Sequence, residues 1–258
     1  MDNSSHEELL LGGNSAASVV RVGTTVRREA QRSTESVNAL LTHFERLGVA
    51  GVPRFLGYDE RGRQMLTYAA GSANPDPSDL GLEHLARVGR LIRSLHDAAE
   101  SFVEPEDATW NVVITPDEST LICHHDLAPW NLVRGADELT FIDWDGAGPG
   151  SRLWDLAYAA HGFVPLSPRA ELTLDQAATR LRAFVDGYAP TRDERERLAP
   201  LLGPRVRSMY ELLRSGAREE REPWAKLVRE GHDTMWLEDA NFITAHDATW
   251  RAALGLAH

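Results

Sequence analysis

The stretch His124-His125-Asp126-Leu127-Ala128-Pro129-Trp130-Asn131, followed by Phe141-Ile142-Asp143-Trp144-Asp145, sets two polar loops among short apolar runs. Leu121–Cys123, Leu132–Val133 and Leu139–Ile142 are those runs, and each reads as a strand. Asp126 and Asn131 therefore share one loop, five positions apart, and Asp143 stands just past a strand, seventeen positions after Asp126. Phosphoryl transfer asks for a carboxylate beside the attacking hydroxyl and for hard-oxygen ligands that hold Mg²⁺ against the phosphates. Asp126 suits the first task, and Asn131 and Asp143 suit the second. His124, His125 and Asp126 also offer the ligand types of a transition metal, but adjacent residues rarely hold one ion together, and no third ligand follows at a convincing spacing. Asp145 reads either as a turn cap or as an accessory metal ligand.

Outward from these loops the chain divides in character. Toward the N-terminus, residues 10–28 read as short strands around Gly12-Gly13-Asn14-Ser15 and Gly23-Thr24-Thr25, ending in Val26-Arg27-Arg28. A helix is expected from about Thr34 to Leu47, with Val37, Leu40, Leu41, Phe44 and Leu47 on one stripe and Gly48 closing it. Arg54–Tyr58 and Gln64–Tyr68 read as two strands across a turn. The segment 71–79, GSANPDPSD, is a loop and the expected boundary between a first unit, 1–71, and a second, 72–258. A helix over 82–99 follows, and beyond the loops the pattern is helical over about 153–162, 170–188, 192–215 and 222–253. A strand-rich first third and a mostly helical remainder make an α+β arrangement of two lobes, with a cleft between them as the expected ligand site.

The 258 residues carry a formal charge of -12, which argues against nucleic acid or an anionic membrane as the main partner. The excess is local: residues 71–160 hold 16 acids against 5 arginines, whereas 1–70 balances at 8 and 8 and 161–258 stands at 15 and 14. Carboxylates gathered in this way either solubilise a surface or await a positive partner, whether metal ions or a cationic substrate. No apolar run approaches the length of a membrane helix, and the single cysteine, Cys123, forms no disulfide within the chain. With an acidic N-terminus unlike a signal peptide, a cytoplasmic setting is expected.

HxDxxxxN followed by a strand and IDWD resembles the catalytic and metal-binding loops of aminoglycoside phosphotransferases and choline kinases and, more distantly, protein kinases. The resemblance implies a two-lobed protein kinase-like fold and transfer of the γ-phosphate of ATP or GTP, with Mg²⁺, to a hydroxyl of a small molecule such as an aminoglycoside or other antibiotic, or an amino alcohol. It implies Asp126 as catalytic base, Asn131 and Asp143 as Mg²⁺ ligands, His124 as a structural brace and Asp155 as a structural anchor. Leu95-His96 matches a Leu-His common in the family, where a buried histidine is the expected role.

In the first lobe the resemblance is looser. Gly13, Asn14 and Ser15 offer backbone N–H groups to phosphates, and Thr67, Tyr68 and Ala69 resemble the hinge that binds the base. The only lysine is Lys226, so the phosphate-gripping strand cation falls to arginine, Arg27 or Arg28. Strand alternation sends the two to opposite faces, and Arg27 is favoured, with Arg28 its competitor. A kinase-like fold orients that cation with a mid-helix glutamate; here the helix offers Glu35 at its start and Asn38 near the expected place. For the acceptor, Asp233, Trp236, Glu238 and Asp239 form a candidate mixed aromatic and acidic wall for an ammonium-bearing substrate. Competing expectations are a kinase acting on Ser or Thr of a peptide in a biosynthetic pathway and a non-catalytic nucleotide-binding module.

Overall fold

Alternation builds the first lobe: Val20 and Val22 turn inward from their strand while Arg21 between them stays half-exposed. The computed structural model describes residues 7–10, 19–73 and 75–256. Its N-terminal strands are β1 (Glu8–Leu10), β2 (Val19–Val22), β3 (Thr25–Arg28), β4 (Phe55–Tyr58) and β5 (Gln64–Thr67). They form one antiparallel sheet in the order β1-β2-β3-β5-β4. Between β3 and β4 runs α1 (Thr34–Arg46), whose Val37, Leu40, Leu41 and Phe44 are fully buried. Gly48, at φ +68°, lets the chain turn back from it.

The chain leaves this sheet at Tyr68, whose N–H donates to Thr24 O at 2.9 Å, and joins the second lobe by Ser72, which pairs with Arg134. There β6 (Ser72–Ala73) edges a three-stranded sheet with β8 (Leu132–Arg134) and β9 (Leu139–Phe141), and β7 (Leu121–Cys123) pairs with β10 (Gly148–Gly150). Around these small sheets lie α2 (Leu82–Ala99), α3 (Arg152–Phe163), α4 (Leu174–Tyr188), α5 (Arg192–Leu198), α6 (Leu202–Arg218), α7 (Trp224–Arg229), α8 (His232–Ala245) and α9 (Asp247–Ala253). Helix α2 buries Leu85, Val88, Ile92 and Leu95 in the core and crosses α4 at Ala86 and Gly89. One apolar core continues from α1 through the β7–β9 region to α4 and α9. The α+β, two-lobed class is as expected.

The helical tail is more broken than the apolar periodicity suggests. The expected helix over 192–215 is α5 and α6, separated by a 3₁₀ turn, Ala199–Leu201, at Pro200, which has no N–H to continue the ladder. The expected helix over 222–253 is three helices. Gly231, at φ +83°, separates α7 from α8, and His246 at φ -113° bends the chain between α8 and α9. Helix α4 begins at 174 because Thr173 and Gln176 form a reciprocal capping box. Strands β6 and β10 were not expected; neither carries an apolar run, and each exists because a partner edge is beside it. No described helix is long and apolar enough to cross a membrane.

Candidate active site

Asp126 lies in the loop between β7 and the 3₁₀ turn Pro129–Asn131, and three donors hold its carboxylate. Asn131 Nδ2 donates to Oδ2 at 2.7 Å, Trp130 Nε1 to the same oxygen at 3.2 Å, and the Tyr158 hydroxyl to Oδ1 at 2.9 Å. With its amide nitrogen spent on Asp126, Asn131 turns Oδ1 the other way, and no described group donates to that oxygen. Ile142 N–H donates to Asn131 O at 2.9 Å, which ties the second loop beside the first. His124 bridges the same two loops. Its Nδ1 accepts from Asp126 N–H at 3.3 Å, so Nε2 carries the proton and donates to Ile142 O at 3.1 Å. Two residues here take left-handed backbone, His125 at φ 66° and Asp143 at φ 60°, conformations that His and Asp tolerate better than most side chains.

Below the loop, Asp155 on α3 is almost fully buried and accepts the backbone N–H of His124 at 3.1 Å and of His125 at 3.0 Å. His96 Nε2 donates to it at 3.3 Å, and Tyr188 OH meets His96 Nδ1 at 3.0 Å. Burial alone would raise the Asp155 carboxyl, but the hydrogen bond and charge of His96, with His125 and His124 nearby, outweigh it and hold the group at about 2. Arg205 of α6 completes the floor. It is 1% exposed, donates to His125 O at 3.1 Å, and stacks its guanidinium 4.2 Å from the Tyr158 ring centre. Burial pushes its pKa down from the usual arginine value.

The strand cation that reaches this centre is Arg28, not the favoured Arg27. Arg27 turns to Asp59 at 3.5 Å, on the other face of β3. Arg28 crosses to the second lobe, 2.6 Å from Asp145 Oδ1 and 3.7 Å from Asp143 Oδ1. Alternation puts the two arginines on opposite faces, as expected, and it is the face of β3 carrying Arg28 that looks toward the second lobe. Asp145 is thus a cross-lobe partner, also bonded by Gln31 Nε2 at 3.2 Å. Burial raises its carboxyl above the ordinary range, and Arg28 pulls the other way. Asp143 is the more open of the two, with 43% of its side chain exposed against 18%. The donor set fits Mg²⁺: a free amide oxygen on Asn131 and an open carboxylate on Asp143 are hard oxygens on two loops tied together, with no thiolate or imidazole offered.

The remaining expectations divide. Gly13, Asn14 and Ser15 lie outside the described residues. Of the hinge segment, Thr67 N–H is already given to Arg54 O at 3.0 Å and Tyr68 N–H to Thr24 O, so Ala69 has the one amide of the three that no described group takes. The carboxylates of the expected acidic wall each have a basic partner within the chain. Asp239 is bonded by Arg169 at 2.7 Å and His161 at 2.9 Å, Glu238 by Arg169 at 2.6 Å and Asp233 by Arg214 at 3.2 Å. Basic residues distant in sequence fold back onto these carboxylates, a pairing that a stretch free of Lys and Arg conceals. Trp236 does come to the centre, its ring stacked on Tyr158 at 6.2 Å and 14°. Trp130, 43% exposed, packs edge-on to the same tyrosine at 6.3 Å. Tyr158, Trp130 and Arg205 were not singled out in the sequence. Trp130 sits within the loop motif and Tyr158 one helical turn beyond Asp155, so both had a positional signal; Arg205 had none.

A two-lobed α+β chain with this pair of loops between its lobes has the architecture of a kinase-like phosphotransferase. The model of the APH phosphotransferase enzyme family matches residues 106–201. A trifolitoxin immunity protein of Rhizobium leguminosarum bv. trifolii is 32% identical over 203 residues, covering 74% of this chain and 77% of that protein. Solved structures of similar fold include a choline/ethanolamine kinase family protein from Mesorhizobium loti, with TM-score 0.64, 16% identity and coverage of 99% of this chain and 94% of that one. Another is an amicoumacin kinase in complex with AMP-PNP, Ca²⁺ and Ami, with TM-score 0.68, 12% identity and coverage of 95% and 89%. A third is an aminoglycoside 2'-phosphotransferase in complex with GDP, with TM-score 0.56, 13% identity and coverage of 96% and 94%. The chain belongs to the APH phosphotransferase enzyme family.

Proposed function

We propose that the protein transfers the γ-phosphate of ATP or GTP to a hydroxyl of a small molecule, and that this inactivates a toxin or antibiotic. The observation that carries the chemistry is the Asp126 carboxylate, held by three donors, one of them Asn131, on a loop tied by its backbone to the one where Arg28 of the other lobe meets Asp143. In this reading Asp126 accepts the proton of the acceptor hydroxyl as the oxygen attacks in line. Tyr158, Trp130 and Asn131 fix the direction of its lone pairs. Arg28 turns its terminal nitrogens from the carboxylates to the phosphate oxygens. Asn131 and Asp143 hold Mg²⁺, which when bound neutralises charge building on the phosphates. His124, Asp155 and Arg205 keep the loop in place and touch no reactant. Ala69 offers its backbone to the base.

Inactivation of a toxin is supported by the relative named for trifolitoxin immunity and by the amicoumacin kinase among the similar folds. For the acceptor, the flanking residues are Trp130 and Trp236, and the carboxylates expected to bind ammonium groups are paired internally. A flat-faced acceptor carrying at most one positive charge suits such a wall better than a polycation. The test is Mg²⁺-dependent consumption of ATP and of GTP against a panel of antibiotics and amino alcohols, with product phosphorylation read by mass spectrometry. Asp126→Ala is expected to lower kcat by roughly 10²–10⁴ while nucleotide affinity holds. Turnover at the wild-type rate in that variant, or no nucleotide binding by the wild type, defeats the proposal.

A further inference from the structure

Arg28 is held from behind by amides, not by an acid. Its Nε donates to Gln64 Oε1 at 2.6 Å across directly paired positions of β3 and β5. Gln64 Nε2 donates to Asn38 Oδ1 at 2.5 Å, Asn38 Nδ2 to the Tyr58 hydroxyl at 2.9 Å, and Tyr58 OH to Glu35 Oε1 at 2.5 Å. Gln64 is 0% and Asn38 3% exposed. The orientation of every link follows from its first member. A guanidinium only donates, so Gln64 must show it the amide oxygen and has its NH₂ left for Asn38. Asn38 must then accept from Gln64 and donate to Tyr58, which has one proton left to give, and Glu35 takes it. The two amides and the phenol are thus ordered head to tail between a cation and an anion, an arrangement in which each bond polarises the next.

Burying a glutamine under a small sheet is costly unless its polar atoms are used, and an aliphatic side chain would fill the same space more cheaply. Here the use is specific: the oxygen faces Arg28 alone, at Nε. That contact fixes the root of the guanidinium and leaves both terminal nitrogens free to point at the cleft, where they meet Asp143 and Asp145. We propose that Gln64, itself set by Asn38, is the residue that positions Arg28 for the nucleotide phosphates, so that the orienting partner comes from the neighbouring strand. The proposal rests on the phosphotransferase reading above, and Gln64 is a positioning residue that touches no reactant.

The experiment is calorimetric binding of Mg·ATP and Mg·GTP, with adenosine and guanosine as phosphate-free probes, to the wild type, Gln64→Leu and Gln64→Glu. A residue acting through Arg28 affects only the phosphates. Gln64→Leu is therefore expected to weaken the favoured nucleotide by roughly tenfold or more and to leave its nucleoside unchanged, a fold-change on the scale of one lost charge-assisted hydrogen bond. Glutamate keeps the acceptor toward Arg28 but loses the N–H given to Asn38, so Gln64→Glu should bind the nucleotide more tightly than Gln64→Leu without reaching the wild-type affinity. In an Arg28→Ala background Gln64→Leu should cost nothing more, since the two act as one unit. Should the leucine variant not fold, Gln64→Met carries the same test. Equal losses for nucleotide and nucleoside, full additivity with Arg28→Ala, or unchanged nucleotide affinity in the leucine variant overturns the positioning role. A wild type that binds neither nucleotide overturns the phosphotransferase reading beneath it.

Discussion

Single groups in this protein are set by what they touch, and Asp155 shows how far that reaches. It is 1% exposed, yet it stays ionised because two backbone N–H groups and His96 donate to it. Its folded value, about 2, lies below that of an ordinary carboxyl. The stability it supplies is therefore fully present above about pH 4 and drains as the pH falls toward its folded value. Asp155→Asn should cost about 3–5 kcal/mol at neutral pH, because it unbalances a buried ionic network. Its stability between pH 4 and 2 should also vary less steeply with pH than that of the wild type, read by denaturant midpoints across that range. Equal slopes in the two proteins would contradict the assignment. At the same scale, the choice between Arg27 and Arg28 is one residue of register, and it decides whether a guanidinium meets Asp59 or Asp143 and Asp145.

Elements hold those groups at the right height. Helices α2 and α4 cross so closely that a Cβ added at Gly187 would overlap the Ala86 carbonyl, and one at Gly89 the Phe184 carbonyl. The contact lies next to Tyr188, which bonds His96 and through it Asp155 and the loop that carries Asp126. Gly187→Ala should therefore destabilise the protein by about 1–3 kcal/mol, as overpacking of a tight interface does. The control is Gly81→Ala at the N-cap of α2, where nothing lies within 4 Å and φ is -64°; it should stay within about 0.5 kcal/mol of wild type, because the unfolded-state freedom that alanine removes offsets its weaker capping. Thermal melts of the two variants decide it, and equal shifts would mean that the close crossing is not what Gly187 serves. Helix α6 makes a comparable contribution by lodging Arg205 under His125 and Tyr158.

Across the whole molecule, the two lobes meet through Arg28 and Gln31 on one side and Asp145 on the other, while α1 packs Phe44 on Trp144 at 5.5 Å. A ligand that replaces the first contact and leaves the second binds the folded state alone. Mg·nucleotide at about 100 times its Kd should then add about 2.7 kcal/mol, or roughly 5–10 °C in Tm for a protein of this size. Chelation with EDTA should remove most of that shift in the same melt. An undiminished shift in EDTA would argue that the nucleotide is held without the Asn131 and Asp143 pair.

How much of this was legible depended on whether a property is local. The ends of α2 and β7, the α+β class and the clustering of Asp126, Asn131 and Asp143 follow from periodicity and from spacing within one short loop pair, which adjacent residues determine by themselves. The breaks in the helical tail were harder, because Pro200 and Gly231 compete with an apolar pattern that runs on through them. What only the tertiary structure decided are the long-range pairings. Arg169 bonds Asp239 and Glu238 from 70 and 69 positions away, and Arg205 reaches His125 from 80. Gln64 reaches Asn38 from 26. A charge or an amide declares its type in sequence, but its partner is whatever the packed core brings within hydrogen-bond range, and that range is about 3 Å in space whatever the separation along the chain.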